Sequence, residues 1–426
     1  MNSNDLFVSI DIGTSTVKVI IGEMVKDSLN IIGVGHVKSD GIKKGSIVDI
    51  DSTVQSIKKA IEQAERVINM EIKQVIVGIP AHQVSLLDCH GVIAVSGENR
   101  EITSEDVQRV LDAAQVISIP PEREIIEVVK KQFIVDMQDE INDPRGMIGV
   151  RLEVDGTLVT GSRTTLLNIL RCVEKAGLEV TDIVLQPLAS GEVALSKDEK
   201  NLGTALIDIG GGTTTISYYE DGHIQGTTLL PIGGDHITND IQKVFKTTSQ
   251  DAEAVKLKYG HAFVEAASTE ETFELSIIGS NKKQKCSQYD ISEVIEARMA
   301  EIFELAYHEL RKMGASDLPG GYVLTGGVAN MQGVLELAQD LFQNRVRIAI
   351  PDYIGVREPQ FTTSVGIIKY SYKNARLLGK VTETTVVPIE HKEPRKVKQP
   401  TPTKEKQQPE EKITTKMKKF LGSFFE

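Results

Sequence analysis

Near the middle of the chain stands Ala205-Leu-Ile-Asp208-Ile-Gly210-Gly211-Gly212-Thr213-Thr214-Thr215, where apolar residues lead into an aspartate, three glycines and three threonines. Because the β-type run Ile216-Ser217-Tyr218-Tyr219 follows, this stretch predicts a strand, a tight glycine turn and a second strand. Bare backbone N–H groups and threonine hydroxyls suit a phosphate. A carboxylate beside phosphate oxygens needs a cation between them, which indicates a nucleotide held with Mg²⁺. The alternative, for this stretch alone, is a glycine-rich hairpin without a ligand.

A second copy of this pattern opens the chain, at Val8-Ser9-Ile10-Asp11-Ile12-Gly13-Thr14-Ser15-Thr16-Val17-Lys18. In the two copies, Asp11 matches Asp208, Gly13 matches Gly210, and Thr16 matches Thr213. The two copies lie about half a chain apart. We therefore expect two related α/β domains that face each other across a cleft.

A third glycine turn lies in Tyr322-Val-Leu-Thr325-Gly326-Gly327-Val-Ala-Asn330-Met-Gln-Gly333. The pattern predicts a strand, a Gly-Gly turn and the start of a helix, which together allow close approach of a base or ribose. An ordinary strand-to-helix loop is the alternative. In order, the three patterns resemble the phosphate 1, phosphate 2 and adenosine motifs of the actin/Hsp70/sugar-kinase superfamily. The connecting helices of that superfamily resemble Leu185–Gly191 and Thr363–Ile367. This resemblance implies an α/β, actin-like (ribonuclease H-like) two-domain ATPase fold.

Length and charge narrow the possible classes of protein. A chain of 426 residues is long enough for two or more domains, and a net charge of −12 disfavours a nucleic-acid partner. The three cysteines, Cys89, Cys172 and Cys286, are far apart and are expected to be buried thiols. No run reaches the eighteen apolar residues of a membrane-spanning helix.

Periodicity predicts several further elements. A helix follows Val48, with Asp51 or Ser52 as its N-cap. Residues 84–162 repeat nothing elsewhere and predict an inserted α/β module, whose helix Ser104–Gln115 is capped by Thr103 or Ser104 with Glu105 or Asp106. A long helical region is expected from Pro231 to beyond Gly260, and a strand over Thr272–Ile278. A helix over Ile291–Met313 places six core residues at helical spacing, namely Ile295, Met299, Ile302, Leu305, Ala306 and Leu310.

The end of the chain has two further parts. Residues 379–411 hold five of the fourteen prolines and few apolar residues, which indicates a disordered linker that spans about 30 Å. On a helix over 412–426, one apolar stripe would form from Ile413, Met417, Phe420, Leu421 and Phe424. Lysines flank it, at Lys412, Lys416, Lys418 and Lys419. This pattern is typical of a basic amphipathic helix in the interface of an anionic membrane, and docking on a protein partner is the alternative.

The whole chain resembles the FtsA family of bacterial cell-division proteins. The residues that agree are Val8–Ser15, Gly45-Ser-Ile-Val-Asp49, Leu206–Thr213, Leu324-Thr-Gly-Gly-Val328 and Lys416-Met-Lys-Lys-Phe-Leu421. This resemblance implies a peripheral protein on the cytoplasmic side of the cell membrane at the division septum, which tethers the ring of the tubulin-like FtsZ. It also implies self-association into actin-like protofilaments.

The resemblance further implies a division of the chain into subdomains. Residues 229–303 (subdomain 2B) would dock the C-terminal tail of FtsZ, and the inserted residues 84–162 (subdomain 1C) would recruit later division proteins. The other parts are 1–83, 163–198 and 361–378 (subdomain 1A), 199–228 and 304–360 (subdomain 2A), 379–411 (linker) and 412–426 (membrane helix).

Site residues follow from the same resemblance. Asp11 and Asp208 would hold Mg²⁺ through water, and Lys18 would reach a phosphate as a point charge. The phosphates would be cradled on two sides, by Gly13, Thr14, Ser15 and Thr16 and by Gly210, Gly211, Gly212, Thr213 and Thr214. The adenosine would meet Gly233, Gly234, Gly326, Gly327 and Asn330.

The residue that orients the attacking water is predicted to be Gln186. Hsp70 and MreB relatives place a glutamate at this position, just before the proline of the connecting helix. A glutamine can orient water but cannot accept its proton, so we expect at most slow ATP hydrolysis.

Two other functions fit parts of the sequence. A small-molecule kinase of the same superfamily would need a catalytic aspartate in the first domain and has no use for a membrane helix. A non-enzymatic adaptor, built like the actin-like protein of type IV pilus assembly, should lack the terminal amphipathic helix.

Overall fold

The computed structural model describes residues 5–97, 99–280, 282–315, 317–379 and 386–388. The predicted membrane helix, 412–426, lies outside the described residues, and so do its residues Ile413, Lys416, Met417, Lys419, Phe420, Leu421 and Phe424. Most of the predicted linker lies outside them as well. Within that linker, Val386–Pro388 form a short strand.

Strands and helices alternate along the described chain. The strands are β1 (Asp5–Ile12), β2 (Thr16–Val25), β3 (Ser28–Lys38), β4 (Ile42–Lys43), β5 (Ser46–Ile47), β6 (Met70–Ile72), β7 (Gln74–Ile79), β8 (Ser85–Ala94), β9 (Arg123–Val135), β10 (Gln138–Ile141), β11 (Arg151–Ser162), β12 (Glu179–Leu185), β13 (Thr204–Ile209), β14 (Thr214–Glu220), β15 (His223–Leu230), β16 (Thr272–Ser276), β17 (Lys283–Ser287), β18 (Gly321–Thr325), β19 (Val346–Ile348) and β20 (Val386–Pro388). The helices are α1 (Ile50–Ile68), α2 (Ser104–Ala114), α3 (Arg163–Lys175), α4 (Gln186–Ala194), α5 (Lys197–Leu202), α6 (Gly234–Phe245), α7 (Ser249–Tyr259), α8 (Gln288–Lys312), α9 (Val334–Phe342) and α10 (Thr362–Leu377).

Two five-stranded sheets share one topology. The first has the order β3-β2-β1-β7-β12 and the second has the order β15-β14-β13-β18-β19. In each, the first three strands form an antiparallel meander and the last two join in parallel. Parallel strands need helices over the sheet faces, which accounts for the near-continuous apolar runs of β1, β2 and β13. The two related halves that the repeated hairpin predicts are therefore confirmed.

The inserted residues form a separate antiparallel sheet, in the order β10-β9-β11-β8. Helix α2 packs on one face of it, and its capping box joins Thr103 to Asp106, as the sequence predicts. The core between them is apolar and includes Val107, Phe133 and Leu152.

The sequence places some element boundaries wrongly. The N-cap of α1 is Asp49, whose carboxylate accepts the Ser52 N–H at 3.1 Å, and not Asp51 or Ser52. The helical region after Pro231 is not continuous, because Lys246 adopts a left-handed conformation and ends α6. Helix α7 then begins after Thr248 and stops at Tyr259.

Other expectations fail on burial and pairing. Leu305 is 36% exposed and is not a core residue, whereas the five other predicted residues of α8 are fully buried or nearly so. Cys89 is only partly buried. The strand predicted over Thr272–Ile278 ends at Ser276 and pairs with β17, a strand too polar for its sequence to indicate.

Candidate functional site

The two repeated hairpins close with the same hydrogen bond. In the β1–β2 turn the Gly13 N–H donates to the Thr16 carbonyl at 3.0 Å, and in the β13–β14 turn the Gly210 N–H donates to the Thr213 carbonyl at 2.9 Å. The residue pairs that the sequence aligns therefore occupy equivalent positions in space.

The turns face each other across the cleft. A Cβ atom on Gly211 would lie 1.8 Å from Ser15 Oγ, and one on Gly212 would lie 2.4 Å from Thr14 Cγ2. Ser15 Oγ also donates to Asp235 Oδ1 at 3.1 Å. A Cβ at either position would overlap the facing turn, so the two glycines allow the turns to approach each other this closely.

Backbone donors at both turns remain available. Within the part of the chain that the structure describes, the N–H groups of Thr14, Ser15, Gly211 and Gly212 donate to no backbone carbonyl. Clusters of such N–H groups in turns form anion-binding concavities. The N–H groups of these turns can therefore bind phosphate oxygens. This favours the nucleotide interpretation over a glycine-rich hairpin without a ligand.

Asp11 lies at the centre of a buried polar group of side chains. Its Oδ2 accepts Lys18 Nζ at 3.2 Å and Ser364 Oγ at 3.2 Å, and its Oδ1 accepts Gln186 Nε2 at 2.8 Å. The predicted metal ligand, phosphate contact and water-positioning residue thus lie together.

The second predicted metal ligand, Asp208, has fewer partners. Its Oδ2 accepts Thr363 Oγ1 at 2.9 Å, and a Cβ on Gly326 would lie 2.4 Å from its Oδ1. Burial raises the pKa of Asp208, Asp11 raises it further, and the Thr363 hydroxyl and Lys18 oppose this rise. A divalent cation between the two carboxylates would offset that burial, so this pair of donors fits Mg²⁺ held through water.

The start of α6 holds the β13–β14 turn. The Gly234 N–H donates to the Gly210 carbonyl at 3.0 Å, and the Asp235 N–H donates to the Gly211 carbonyl at 2.7 Å. A Cβ on Gly233 would lie 2.4 Å from the Gly210 carbonyl oxygen. In this structure Gly233 and Gly234 therefore hold the β13–β14 turn in place from the side of α6.

A charged cluster on α6 and α7 lies beside Gly234. The buried Lys256 donates from Nζ to the Gly234 carbonyl at 3.1 Å, to Thr238 Oγ1 at 2.8 Å and to Glu253 Oε2 at 2.7 Å. The Glu253 side chain is 42% exposed, and its carboxylate also accepts the Thr238 hydroxyl.

The predicted adenosine turn is more open than its sequence suggests. Gly326 has a φ of +90° and lies against Asp208, whereas Gly327 is exposed. Only a single 3₁₀ turn, Val328–Asn330, follows, and the next helix begins at Val334 rather than directly after the glycines. Asn330 lines a cavity of ≈ 410 Å³ together with His261, Ala329, Met331, Gln332, Gly333, Leu335, Glu336, Ile348, Ile350 and Pro359.

One predicted phosphate residue points elsewhere. Thr214 is buried, and its hydroxyl donates to the Ile232 carbonyl at 2.8 Å. The other predicted threonines, Thr14, Thr16 and Thr213, lie in the turns or directly beside them, and Thr14 Oγ1 accepts the Gly45 N–H at 3.3 Å. In this structure the Thr214 hydroxyl stabilises the loop that leads to Gly233.

Sequence reasoning missed five polar residues of the cleft, namely Thr363, Ser364, Asp235, Glu253 and Lys256. Thr363 and Ser364 open the connecting helix α10, so a hydroxyl pair at the start of that helix was the available signal. Glu253 and Lys256 are spaced i, i+3 on α7, a common surface pattern that gives no hint of a cleft.

Two kinds of feature do not occur among the described residues, a membrane-spanning helix and a cluster of metal-binding side chains. No described helix is long and apolar enough to cross a membrane. No group of three or more His, Cys, Asp or Glu side chains that could hold a metal occurs among them, so Asp11 and Asp208 would need water and the ligand itself to complete a coordination shell.

Two related α/β halves, with matching hairpins that face each other across a cleft, define a protein of the actin-like fold. Solved structures with this fold are similar to it. A chain of the PilM–PilN type IV pilus biogenesis complex has a TM-score of 0.57 and 15% identity, covering 85% of this chain and 97% of that chain. MreB5 of Spiroplasma citri bound to ADP has a TM-score of 0.53 and 16% identity, covering 87% of this chain and 99% of that chain.

Sequence comparison narrows the class. The cell division protein FtsA of Bacillus subtilis is 54% identical over 100% of both chains, and that of Enterococcus hirae is 45% identical over 92% of this chain and 89% of its own. The family model for cell division protein FtsA matches residues 205–366, and that for the SHS2 domain inserted in FtsA matches 81–160. The chain belongs to the FtsA family of cell division proteins.

Proposed function

We propose that this division protein binds ATP with Mg²⁺ in the cleft between the two hairpins. The observation that supports it most is the paired geometry: two turns with available N–H groups, each preceded by a carboxylate. The similar structure of MreB5, described as bound to ADP, supports a nucleotide in the same fold.

In this proposal each side of the cleft has its own task. Thr14, Ser15, Gly211 and Gly212 donate N–H groups to the phosphates, and Lys18 neutralises part of their charge. Asp11 and Asp208 hold the cation through water, and when bound it would screen the phosphates and polarise them. Glu253 accepts hydrogen bonds from ribose hydroxyls, beside the wall that Gly234 and Gly326 form.

Gln186 is the candidate for orienting water. Its amide nitrogen is occupied by Asp11 at 2.8 Å, which leaves the amide oxygen to accept a hydrogen bond from water. An amide cannot take up the proton that an attacking water loses. We therefore propose slow turnover, with ATP acting chiefly as a ligand for assembly.

At the level of the whole protein, we propose that the chain polymerises and tethers the FtsZ ring to the cytoplasmic face of the membrane at the septum. The FtsZ tail would dock on residues 229–303, later division proteins on residues 84–162, and anionic lipids on the terminal helix. Membership of the FtsA family favours this function over a small-molecule kinase or a pilus-type adaptor.

The direct test is the binding of a fluorescent ATP analogue to the full chain, with and without Mg²⁺. Asp208→Asn should weaken Mg²⁺-dependent binding at least tenfold while the far-UV circular dichroism stays unchanged. The control is Asp352→Asn, because Asp352 is an exposed residue that pairs with Arg357. Binding by Asp208→Asn as tight as that of the wild type would refute the metal role, and a wild type that binds no nucleotide would refute the proposed function.

A further inference from the structure

A carboxylate from the inserted subdomain lies against two elements of the nucleotide cleft. Glu127 belongs to β9, and its Oε2 accepts the Tyr370 hydroxyl of α10 at 2.7 Å. Its Oε1 accepts the Leu185 N–H at 3.5 Å. Leu185 is the residue directly before Gln186.

The contact between Glu127 and Leu185 lies at the start of helix α4. Leu185 is the N-cap of α4, and its apolar side chain makes no capping hydrogen bond. The carboxylate at this helix start is that of Glu127, which belongs to the inserted subdomain. At the helix start it interacts favourably with the positive end of the helix dipole. The first residue of α4, Gln186, donates to Asp11 in the cleft.

Helix α10 makes the second connection. Its first turn reaches the cleft, because Thr363 donates to Asp208 at 2.9 Å and Ser364 donates to Asp11 at 3.2 Å. Its last residue, Leu377, and the following Leu378 pack against the core of the inserted subdomain. The Arg376 carbonyl accepts from Arg145 of that subdomain at 2.7 Å. The helix thus spans about 20 Å between the two regions.

The two helices are also joined to each other near the cleft. Ser190 Oγ of α4 lies 2.9 Å from Thr363 Oγ1 of α10, and a Cβ on Gly366 would lie 2.0 Å from the Ala189 carbonyl oxygen. The two helices are therefore in direct contact, side chain to side chain and backbone to backbone. A shift of Glu127 would therefore act on Gln186 and on Thr363 at once.

The surroundings of Glu127 hold it in place. Burial raises its pKa to about 7, and Asp182 of β12 raises it as well, while Tyr370 and the Leu185 N–H lower it. Burial raises the pKa of Tyr219 of β14, and the nearby carboxylates of Glu192 and Glu127 add to this rise. A carboxyl group in this environment depends on its two hydrogen bonds, so a rotation of the inserted subdomain that moves β9 would weaken them.

We propose that Glu127 is a positioning residue that couples the orientation of the inserted subdomain to the nucleotide cleft, through Leu185 and Tyr370. This inference rests on the proposed binding of ATP in that cleft. Binding of nucleotide with Mg²⁺ would change the hydrogen bonds that Asp11 and Asp208 accept from Gln186, Thr363 and Ser364, and Glu127 would transmit that change to β9.

Hydrogen–deuterium exchange of the full chain, with and without Mg²⁺ and ATP, tests the coupling. In the wild type we expect nucleotide to slow exchange at the two hairpins and also in residues 123–135. Glu127→Ala and Tyr370→Phe should keep the slowing at the hairpins, with ATP affinity changed less than threefold, and should lose at least half of the slowing in 123–135. Glu124→Ala is the matched control, because Glu124 lies on the same strand but pairs with Arg163.

Each outcome has a defined meaning. A uniform rise in exchange, equal with and without nucleotide, would show that Glu127 only stabilises the fold. A full nucleotide effect in 123–135 of the Tyr370→Phe protein would overturn the coupling even if Glu127→Ala does not fold, as would a wild type that binds ATP without any effect there. A wild type that binds no ATP would instead refute the proposed function.

Discussion

Gly211 lies directly against the facing turn, and its lack of a side chain permits this contact. Its Cα approaches Ser15 so closely that even a methyl group would overlap the hydroxyl. The same holds for Gly212 against Thr14. Gly211 and Gly212 therefore allow the close approach of the two turns, and their N–H groups are also available as donors.

Gly211→Ala should push the two turns apart and weaken binding of ATP with Mg²⁺ at least tenfold, because a Cβ would lie 1.8 Å from Ser15 Oγ. Titration with a fluorescent ATP analogue measures this. Gly97→Ala is the control, since its Cβ would meet its nearest atom at 3.8 Å. Equal affinity in both variants would contradict the steric argument.

Glu127 should make stability depend on pH in a particular direction. Because its folded pKa is raised from 4.5 to about 7, the folded state favours the protonated form, and stability is lost as pH rises between these values. Relative to Glu127→Gln, the wild type should lose at most about 3 kcal/mol of unfolding free energy across that range. Urea unfolding of both proteins at pH 5 and pH 8 measures it. A difference that stays constant between the two pH values would show that Glu127 does not titrate there.

The sequence identifies residues of the cleft only where the chain itself supplies the pattern. Asp11 and Asp208 each end a strand before a glycine turn, so the repeat places them correctly. Thr363 and Ser364 reach the carboxylates only because α10 returns from more than 150 residues away. Such contacts depend on tertiary packing, which no local pattern contains.

At the scale of elements, helix ends are decided by single polar side chains. Asp49 caps α1 by accepting from the Ser52 N–H and hydroxyl, at 3.1 Å and 2.8 Å. The periodicity of the sequence favours Asp51 or Ser52 as the cap, although Asp49 stands only two residues before Asp51. Only the backbone conformation, extended at Asp49, selects among them.

Asp49→Ala should lower the thermal midpoint of the protein more than Asp51→Ala does. Hydrogen bonds from Ser52 hold the pKa of Asp49 below its ordinary value, so this stabilisation is present at neutral pH and is lost as the pH falls through that pKa. Calorimetry of both variants at pH 7 and at a pH well below 3.8 measures the difference. A larger effect from Asp51→Ala would restore the cap that periodicity suggests.

Elements built on strong apolar patterns are predicted well, and polar ones are not. The buried strands of both halves and the helix α8 follow from their apolar spacing. Strand β17 contains two lysines and a glutamine among five residues, and it forms only because β16 pairs with it. The break between α6 and α7 depends on a lysine in a left-handed conformation, a rare choice for that residue.

At the scale of the whole molecule, strand order is the strongest sign of relatedness between the halves. Both sheets repeat the same meander and the same parallel pair although their sequences agree at few positions beyond the turns. The fold class was therefore open to prediction from three short patterns, and the family from these together with the non-repeating residues 84–162 and the patterns at the end of the chain. The inserted α/β module was predicted as well and is confirmed, but its contacts with α10 were not, because they depend on tertiary packing.

Membrane binding should depend on the assembled protein. We expect the apolar stripe and four lysines of the predicted helix 412–426 to give one copy only weak, salt-sensitive binding, and a polymer to engage many copies together. Phe420→Glu should abolish liposome co-sedimentation of monomer and polymer alike. Thr415→Glu adds the same charge on the opposite helix face and serves as the control. Polymers of Phe420→Glu that sediment with liposomes as the wild type does would show that the terminal helix is not the anchor.

The late position of α10 has a consequence for how the chain is made. The Ser9 hydroxyl in β1 donates to the Ser364 carbonyl at 2.8 Å, across 355 positions of sequence. Ile368 of the same helix packs on the first sheet beside Phe7 and Ile20. During synthesis, part of the apolar surface of the N-terminal sheet therefore stays uncovered until nearly the entire protein has left the ribosome. The second half of the fold has all its strands before then, so a growing chain would complete its later-made half first.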